Sequence, residues 1–174
     1  GIISLLSKNG KKMKSLFDGS EESVLSLQSD GKVVIAGGDD GMARAVSCKG
    51  GELWAMDLGQ PVDECAISFE LAGEKSCWVA TWNGIQASLW ILGSESGKVH
   101  AEFADLPRIR TLASRDDRVA VGMDDGRVML FNQELFSRRI NREENDSDES
   151  TDDTGPPEGQ SRLSLQEKLR SLRK

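Results

Sequence analysis

Short runs in which apolar and polar residues alternate follow one another through most of this chain, and each run is cut off by Gly, Asn or Asp. Alternation with a period of two marks a half-buried β-strand, whereas an amphipathic helix spaces its apolar residues by three and four. Read this way, the pattern predicts strands over 24–28, 33–37, 42–48 and 53–58, then over 63–69, 76–81, 85–92 and 98–103. A third set falls over 108–113, 118–122, 128–132 and 135–140, and two runs at 2–7 and 12–17 flank a Lys-Asn-Gly turn ahead of them all. Asp-Gly and Asn-Gly between such runs are strong hairpin signals, because a type I′ turn holds both central residues at positive φ.

The strands repeat in groups of four. The run Val33-Val-Ile-Ala-Gly-Gly-Asp-Asp-Gly41 aligns with Arg118-Val-Ala-Val-Gly-Met-Asp-Asp-Gly126, and Trp78-Val-Ala-Thr-Trp-Asn-Gly84 fills the same slot between them. Their closing glycines lie 43 and then 42 residues apart, while Gly10 and Gly51 hold equivalent turns 41 residues apart. A period of about 40–45 residues with four strands per unit is the mark of a propeller blade. The expected fold is therefore all-β, a β-propeller of four-stranded antiparallel blades with about three and a half blades present. Its divisions fall near 1–18 (a half blade), 22–59, 61–105 and 107–140.

Over roughly residues 2–140 the chain resembles two repeat families, the WD40 repeats and the pyrroloquinoline-quinone-type repeats. Gly-Met-Asp-Asp-Gly-Arg-Val-Met-Leu-Phe-Asn132 is similar to the WD40 run that ends in Trp-Asp, and Leu5, Val46, Trp90 and Phe131 share that third-strand slot. Ala36-Gly-Gly-Asp-Asp-Gly41 followed by Gly51-Glu-Leu-Trp54 resembles the quinone-type repeat more closely. No Gly-His dipeptide and no literal Trp-Asp occurs, so the side-chain network of WD40 blades is not expected. The resemblance implies an architecture and no cofactor, since fold analogy alone does not carry a function.

Closed propellers have roughly 4–8 blades. Three and a half leave end sheets uncovered, and each Val, Leu or Ile left wet forgoes roughly 1.5–3 kcal/mol. The chain is therefore expected to be the C-terminal part of a longer propeller, with the other blades upstream of Gly1 or on another chain.

Composition narrows the partners. A net charge of −7 does not suit a phosphate backbone, so nucleic acid is disfavoured and a protein partner, basic by charge complementarity, is expected. Cys48, Cys65 and Cys77 are odd in number and lack CxxC spacing, which points to reduced thiols rather than a disulfide framework or a zinc site. No apolar run reaches the roughly 18–20 residues of a membrane span.

The end of the chain changes character. Residues 143–158 hold eight acidic side chains and no basic ones, so 141–161 is expected to be a disordered acidic linker, with Ser150 and Asp153 in a pattern that suits an acidophilic kinase. Ser164-Leu-Gln-Glu167 is a capping box, and Leu165, Leu169 and Leu172 follow on one face, predicting a short amphipathic helix over 162–174 that docks on a partner.

Candidate site residues lie in the hairpin turns. Asp39, Asp40, Asp124 and Asp125 could in principle hold a cation, but turn chemistry accounts for them better, and no metal site is expected. His100, the single histidine, has no nucleophile motif beside it. Trp82 stands where the other copies carry Asp39 and Asp124, either as a contact residue or folded back on its own blade. With Asn83 and the four aspartates it would form an acidic rim around an aromatic on one end of the disc. These features together predict a non-catalytic interaction scaffold. The competing readings are a fragment of a propeller enzyme, quinone-dependent dehydrogenase-like or a hydrolase, with its active site elsewhere, and a structural subunit docked through its tail.

Overall fold

A computed structural model of the chain describes residues 1–18 and 22–148, with side chains through Ile140. Each run of alternating residues forms a strand, and each Gly-containing turn reverses it, so strands adjacent in sequence pair antiparallel. The first sheet holds two strands, β1 (Ile2–Leu6) and β2 (Lys12–Asp18). The second holds β3 (Val24–Ser29), β4 (Val33–Gly38), β5 (Met42–Ser47) and β6 (Glu52–Asp57). The third holds β7 (Val62–Leu71), β8 (Glu74–Trp82), β9 (Ala87–Gly93) and β10 (Val99–Leu106). The fourth holds only β11 (Ile109–Arg115), β12 (Arg118–Met123) and β13 (Val128–Asn132).

The sheets stack face to face, so the second strand of each middle sheet is buried on both sides. In β4, Val34 and Ala36 face the first sheet and join Ile3 and Leu16 in one core, while Val33 and Ile35 face the third sheet and join Val62, Cys65 and Leu92 in another. In β8, Cys77 and Val79 turn back into that second core, while Trp78 and Ala80 turn forward to meet Ile109, Val119 and Val121 of the fourth sheet. Continuous burial in β4 and in residues 76–81 of β8 thus comes from alternation with an apolar layer on each face. The first strands of the second, third and fourth sheets lie innermost, where β3 meets β7 and β7 meets β11. Four-stranded antiparallel sheets fanned about a common inner edge are the blades of a β-propeller.

Neighbouring blades are locked by specific contacts. A Cβ on Gly37 would stand 2.2 Å from Val62 Cγ1, so β4 approaches β7 as closely as only glycine permits. The Trp54 indole N–H donates to the Ser94 carbonyl at 3.1 Å, and its ring lies beneath Gly97 of the next blade. Within the third sheet the Glu74 carboxylate accepts the Glu95 and Ser96 amides at 2.7 and 2.9 Å and also the Ser96 hydroxyl.

The strand expected over 135–140 is a helix, α1 (Gln133–Asp148). Asn132 Oδ1 accepts the amides of Glu134 and Leu135 at 3.0 and 3.4 Å, an N-cap that stops β13 and starts the helix. Phe136 and Ile140, one turn apart, then drop onto the aromatic core, while Arg138 pairs with Glu134 on the outer side at 2.6 Å. Residues 133–140 carry charge at positions a strand would bury, and helical spacing removes that conflict. The helix also runs through 141–148, the first part of the segment expected to be a disordered linker, while 149–161 and the expected helix at 162–174, with Leu165, Leu169 and Leu172, lie outside the described residues. No helix among the described residues is long and apolar enough to cross a membrane.

Candidate functional site

The hairpins joining the second and third strands of the second, third and fourth sheets emerge at the same end of the fan. Their equivalence is visible in the backbone: the amides of Asp39, Trp82 and Asp124 donate to the carbonyls of Ser23, Pro61 and Arg108, each the residue just before the first strand of its own sheet. These bonds measure 2.9, 3.0 and 3.0 Å. One tryptophan therefore does occupy the slot that holds aspartate in the other two sheets.

Turn chemistry engages three of the site's polar residues. Asp40 accepts the Met42 amide at 3.0 Å and forms a two-point ion pair with Arg44 at 2.6 and 3.3 Å. Asp125 accepts the Arg127 amide at 3.0 Å and pairs with the same residue's guanidinium. Asn83 Oδ1 accepts the amides of Ile85 and Gln86 at 2.9 and 2.8 Å, an Asx turn that closes the β8–β9 hairpin. Asp39 and Asp124 project into solvent. The Arg44 guanidinium beside Asp40 holds its carboxyl below the usual carboxylate range against the opposing pull of burial. Asp125 is likewise lowered, first by the Arg127 amide.

Trp82 ends β8, opposite Ala87, and is half-buried against the aromatic core between the third and fourth sheets. The Arg108 guanidinium lies over its ring, 5.4 Å from the centroid, and is held there by Asp63 through contacts of 2.9 and 2.8 Å. Trp82, Asp63 and Arg108 thus form an ordered stack across two blades. The side chain that projects from this end is aliphatic: Ile85, at the hairpin tip, is 82% exposed.

Sequence reasoning missed Asp63, Arg108 and Ile85. The pairing of Asp63 with Arg108 spans 45 residues, close to one repeat, and that spacing was the available signal. Ile85 could have been found as an apolar residue directly after an Asn-Gly turn, where a buried side chain has no wall to meet.

The thiols are placed away from this end's chemistry. Burial pushes the Cys65 thiol up to about 12 and raises Cys77 well above its ordinary value, both within the core between the second and third sheets. Cys48 is partly exposed, with its sulfur 3.8 Å from the Ser29 hydroxyl.

With this geometry in hand, the fold can be set beside known proteins. No protein-family model matches the chain, and no curated protein sequence matches it. Solved structures do. BamB from Moraxella catarrhalis superposes with a TM-score of 0.59 over 76% of this chain and 40% of its own, at 19% identity. BBS1N in complex with ARL6DN gives 0.58 over 76% of this chain and 44% of its own, at 16% identity. Hsv2 from Kluyveromyces lactis gives 0.56 over 76% of this chain and 43% of its own, at 12% identity. All are β-propellers, so the likeness shows the fold. The chain spans less than half the length of each of these proteins.

Proposed function

We propose that this chain is a non-catalytic propeller scaffold that holds a protein partner on its hairpin end, and that it forms the C-terminal part of a larger propeller. The observation that carries the first half is the character of that end. Asp40, Asp63, Asn83 and Asp125 are engaged in turns or ion pairs that stiffen the surface, while Ile85 and the carboxylates of Asp39 and Asp124 project from it. Rigid loops that display an apolar tip amid negative charge suit the binding of a basic protein surface. A propeller of the same fold, BBS1N, is known in complex with a protein, ARL6DN.

The second half is supported by the end blades. Ile2, Leu6 and Met13 of the first sheet and Val128 and Leu130 of the last are exposed, and so are Leu25 and Leu27 of β3, beside the two-stranded sheet. Further blades packed on those positions would remove this apolar surface from water.

A double substitution tests the binding end. Ile85→Ser with Asp124→Lys is expected to abolish co-purification of the cellular partner, while Lys49→Glu in the opposite β5–β6 turn leaves it intact. Equal loss from both, or loss from the second alone, would sink the assignment. Appending the coding sequence that precedes Gly1 is expected to suppress binding of an apolar dye to the isolated chain. Undiminished dye binding would count against the larger ring.

A further inference from the structure

Asparagine followed by glycine occurs twice among the described residues, and the structure sets the two pairs in opposite circumstances. Asn9-Gly10 lies in the β1–β2 turn, where the Gly10 amide donates to the Ser7 carbonyl at 2.9 Å. Asn83-Gly84 lies in the β8–β9 hairpin, where the Gly84 amide meets no acceptor among the described residues.

At the second pair the hydrogen bonds go instead to the side-chain carbonyl. Asn83 Oδ1 accepts the Ile85 and Gln86 amides at 2.9 and 2.8 Å. Two amides on one oxygen draw electron density from its carbon, and they are in place to hold the negative charge that the oxygen gains when a nucleophile adds. The nucleophile at hand is the neighbouring nitrogen. Gly84 is exposed, takes φ of 97°, and a Cβ built on it would meet nothing within 4 Å, so the turn leaves room for its nitrogen to swing onto Asn83 Cγ.

The repeat shows that the product fits. Trp82 shares its slot with Asp39 and Asp124, so Asn83 is the counterpart of Asp40 and Asp125. Each of those aspartates accepts the amide two residues on, Met42 at 3.0 Å and Arg127 at 3.0 Å, as Asn83 accepts that of Ile85. An aspartate at position 83 would keep this bond and differ in charge compensation. Arg44 and Arg127 neutralise their aspartates from within the same hairpin, whereas the places of those arginines here hold Ala87 and Ile85.

We propose that Asn83 is a site of spontaneous deamidation, which converts the one amide in this set of hairpins into the aspartate that its counterparts carry. The Gly84 nitrogen attacks Asn83 Cγ, the carbonyl electrons move onto Oδ1 beneath the Ile85 and Gln86 amides, and collapse expels Nδ2 as ammonia with the proton that the Gly84 nitrogen gives up. Water then opens the succinimide, at the side-chain carbonyl to give aspartate or at the main-chain carbonyl to give isoaspartate. The net change is loss of ammonia and gain of water, with nothing oxidised or reduced. Aspartate restores the hairpin with a new carboxylate, while isoaspartate lengthens the main chain by a methylene and disturbs the register of β8 with β9. This is chemistry of the turn itself and holds whichever surface binds a partner.

The test follows the whole chain at mildly alkaline pH by peptide mapping that separates asparagine, aspartate and isoaspartate at both sites. Asn83 should convert at least about tenfold faster than Asn9 in the folded chain, and the two should converge in concentrated urea, where each is an asparagine before a glycine and nothing more. Asn83→Asp should melt with the wild type, and a lowered midpoint would refute the fit of the product. A smaller ratio in the folded chain overturns the proposal, and slower conversion at Asn83 than at Asn9 does so outright, since the hydrogen bonds on Oδ1 would then be protecting it. A ratio that survives in urea overturns it as well, because the flanking sequence rather than the hairpin would set the rates.

Discussion

The third and fourth sheets are built on one sequence plan and meet different surroundings. Leu89 and Leu130 hold the same place in the third strand, yet Leu89 is 0% exposed and Leu130 is 64% exposed. Ala87 and Val128 are a second such pair, buried in one sheet and 70% exposed in the other. Nothing in the local alternation distinguishes them. A repeat unit specifies which face is apolar, and its neighbour decides whether that face becomes core.

The sharpest way to break this comparison is to truncate both leucines. Leu89→Ala should cost about 2–5 kcal/mol in urea denaturation, the range for a fully buried leucine, whereas Leu130→Ala should stay within about 0.5 kcal/mol of wild type. Equal costs would mean that the last sheet is covered in solution and the contrast between the sheets false.

Acid provides a second contrast between ordered turns and open surface. Burial pushes Asp30 and Glu74 up, but hydrogen bonds more than offset it, from Val33, Lys32 and Lys75 in the first case and from Ser96 and Glu95 in the second, so both end below their ordinary values. Asp40 is lowered by Arg44. Each folded-state value therefore lies under its unfolded one of 3.8 or 4.5, so the stability these groups contribute is present above that value and lost as pH falls through the folded one. The urea midpoint should hold steady down to about pH 4.5 and fall below it, and Asp40→Asn should flatten part of that fall. A midpoint independent of pH down to the acid limit would contradict the turn networks.

Thiol chemistry separates the blades in another way. With iodoacetamide under native conditions Cys48 should label first, while Cys65 and Cys77 wait for unfolding, because the thiolate is the nucleophile and their core suppresses it. Mass spectrometry of the digested protein reads the order directly.

The smallest expected effect lies in a turn. Ala72 has φ of 51° and precedes Gly73 at 88° in the β7–β8 hairpin, a pair of positive angles that asparagine tolerates better than alanine. Ala72→Asn should raise stability by about 0.5–1 kcal/mol, seen as a small rise in the melting midpoint.

The architecture was legible because it is written in local signals. Glycines at 10, 41, 84 and 126 all take positive φ, and the strands between them follow from alternation alone. The helix after β13 was missed because Leu135, Phe136 and Ile140 also allow a strand reading, and the Asn132 cap that decides the matter resembles one more turn residue. At the candidate site, the slot shared by Asp39, Trp82 and Asp124 could be read from the repeat. The direction of Trp82 could not, since it depends on Arg108 reaching across from the next blade, and the one-repeat spacing of Asp63 and Arg108 does not say that the guanidinium comes to lie over the indole. The projection of Ile85 could have been read from its place directly after the Asn83-Gly84 turn.

The contact between Gly37 and Val62 sets a wedge angle. Any side chain at 37 would act as a shim between β4 and β7, prising those two sheets apart by the width of a methyl group near their inner edge. In the larger ring proposed above, such an opening would change how many sectors complete the circle, so one absent methyl would help to set the curvature of the whole.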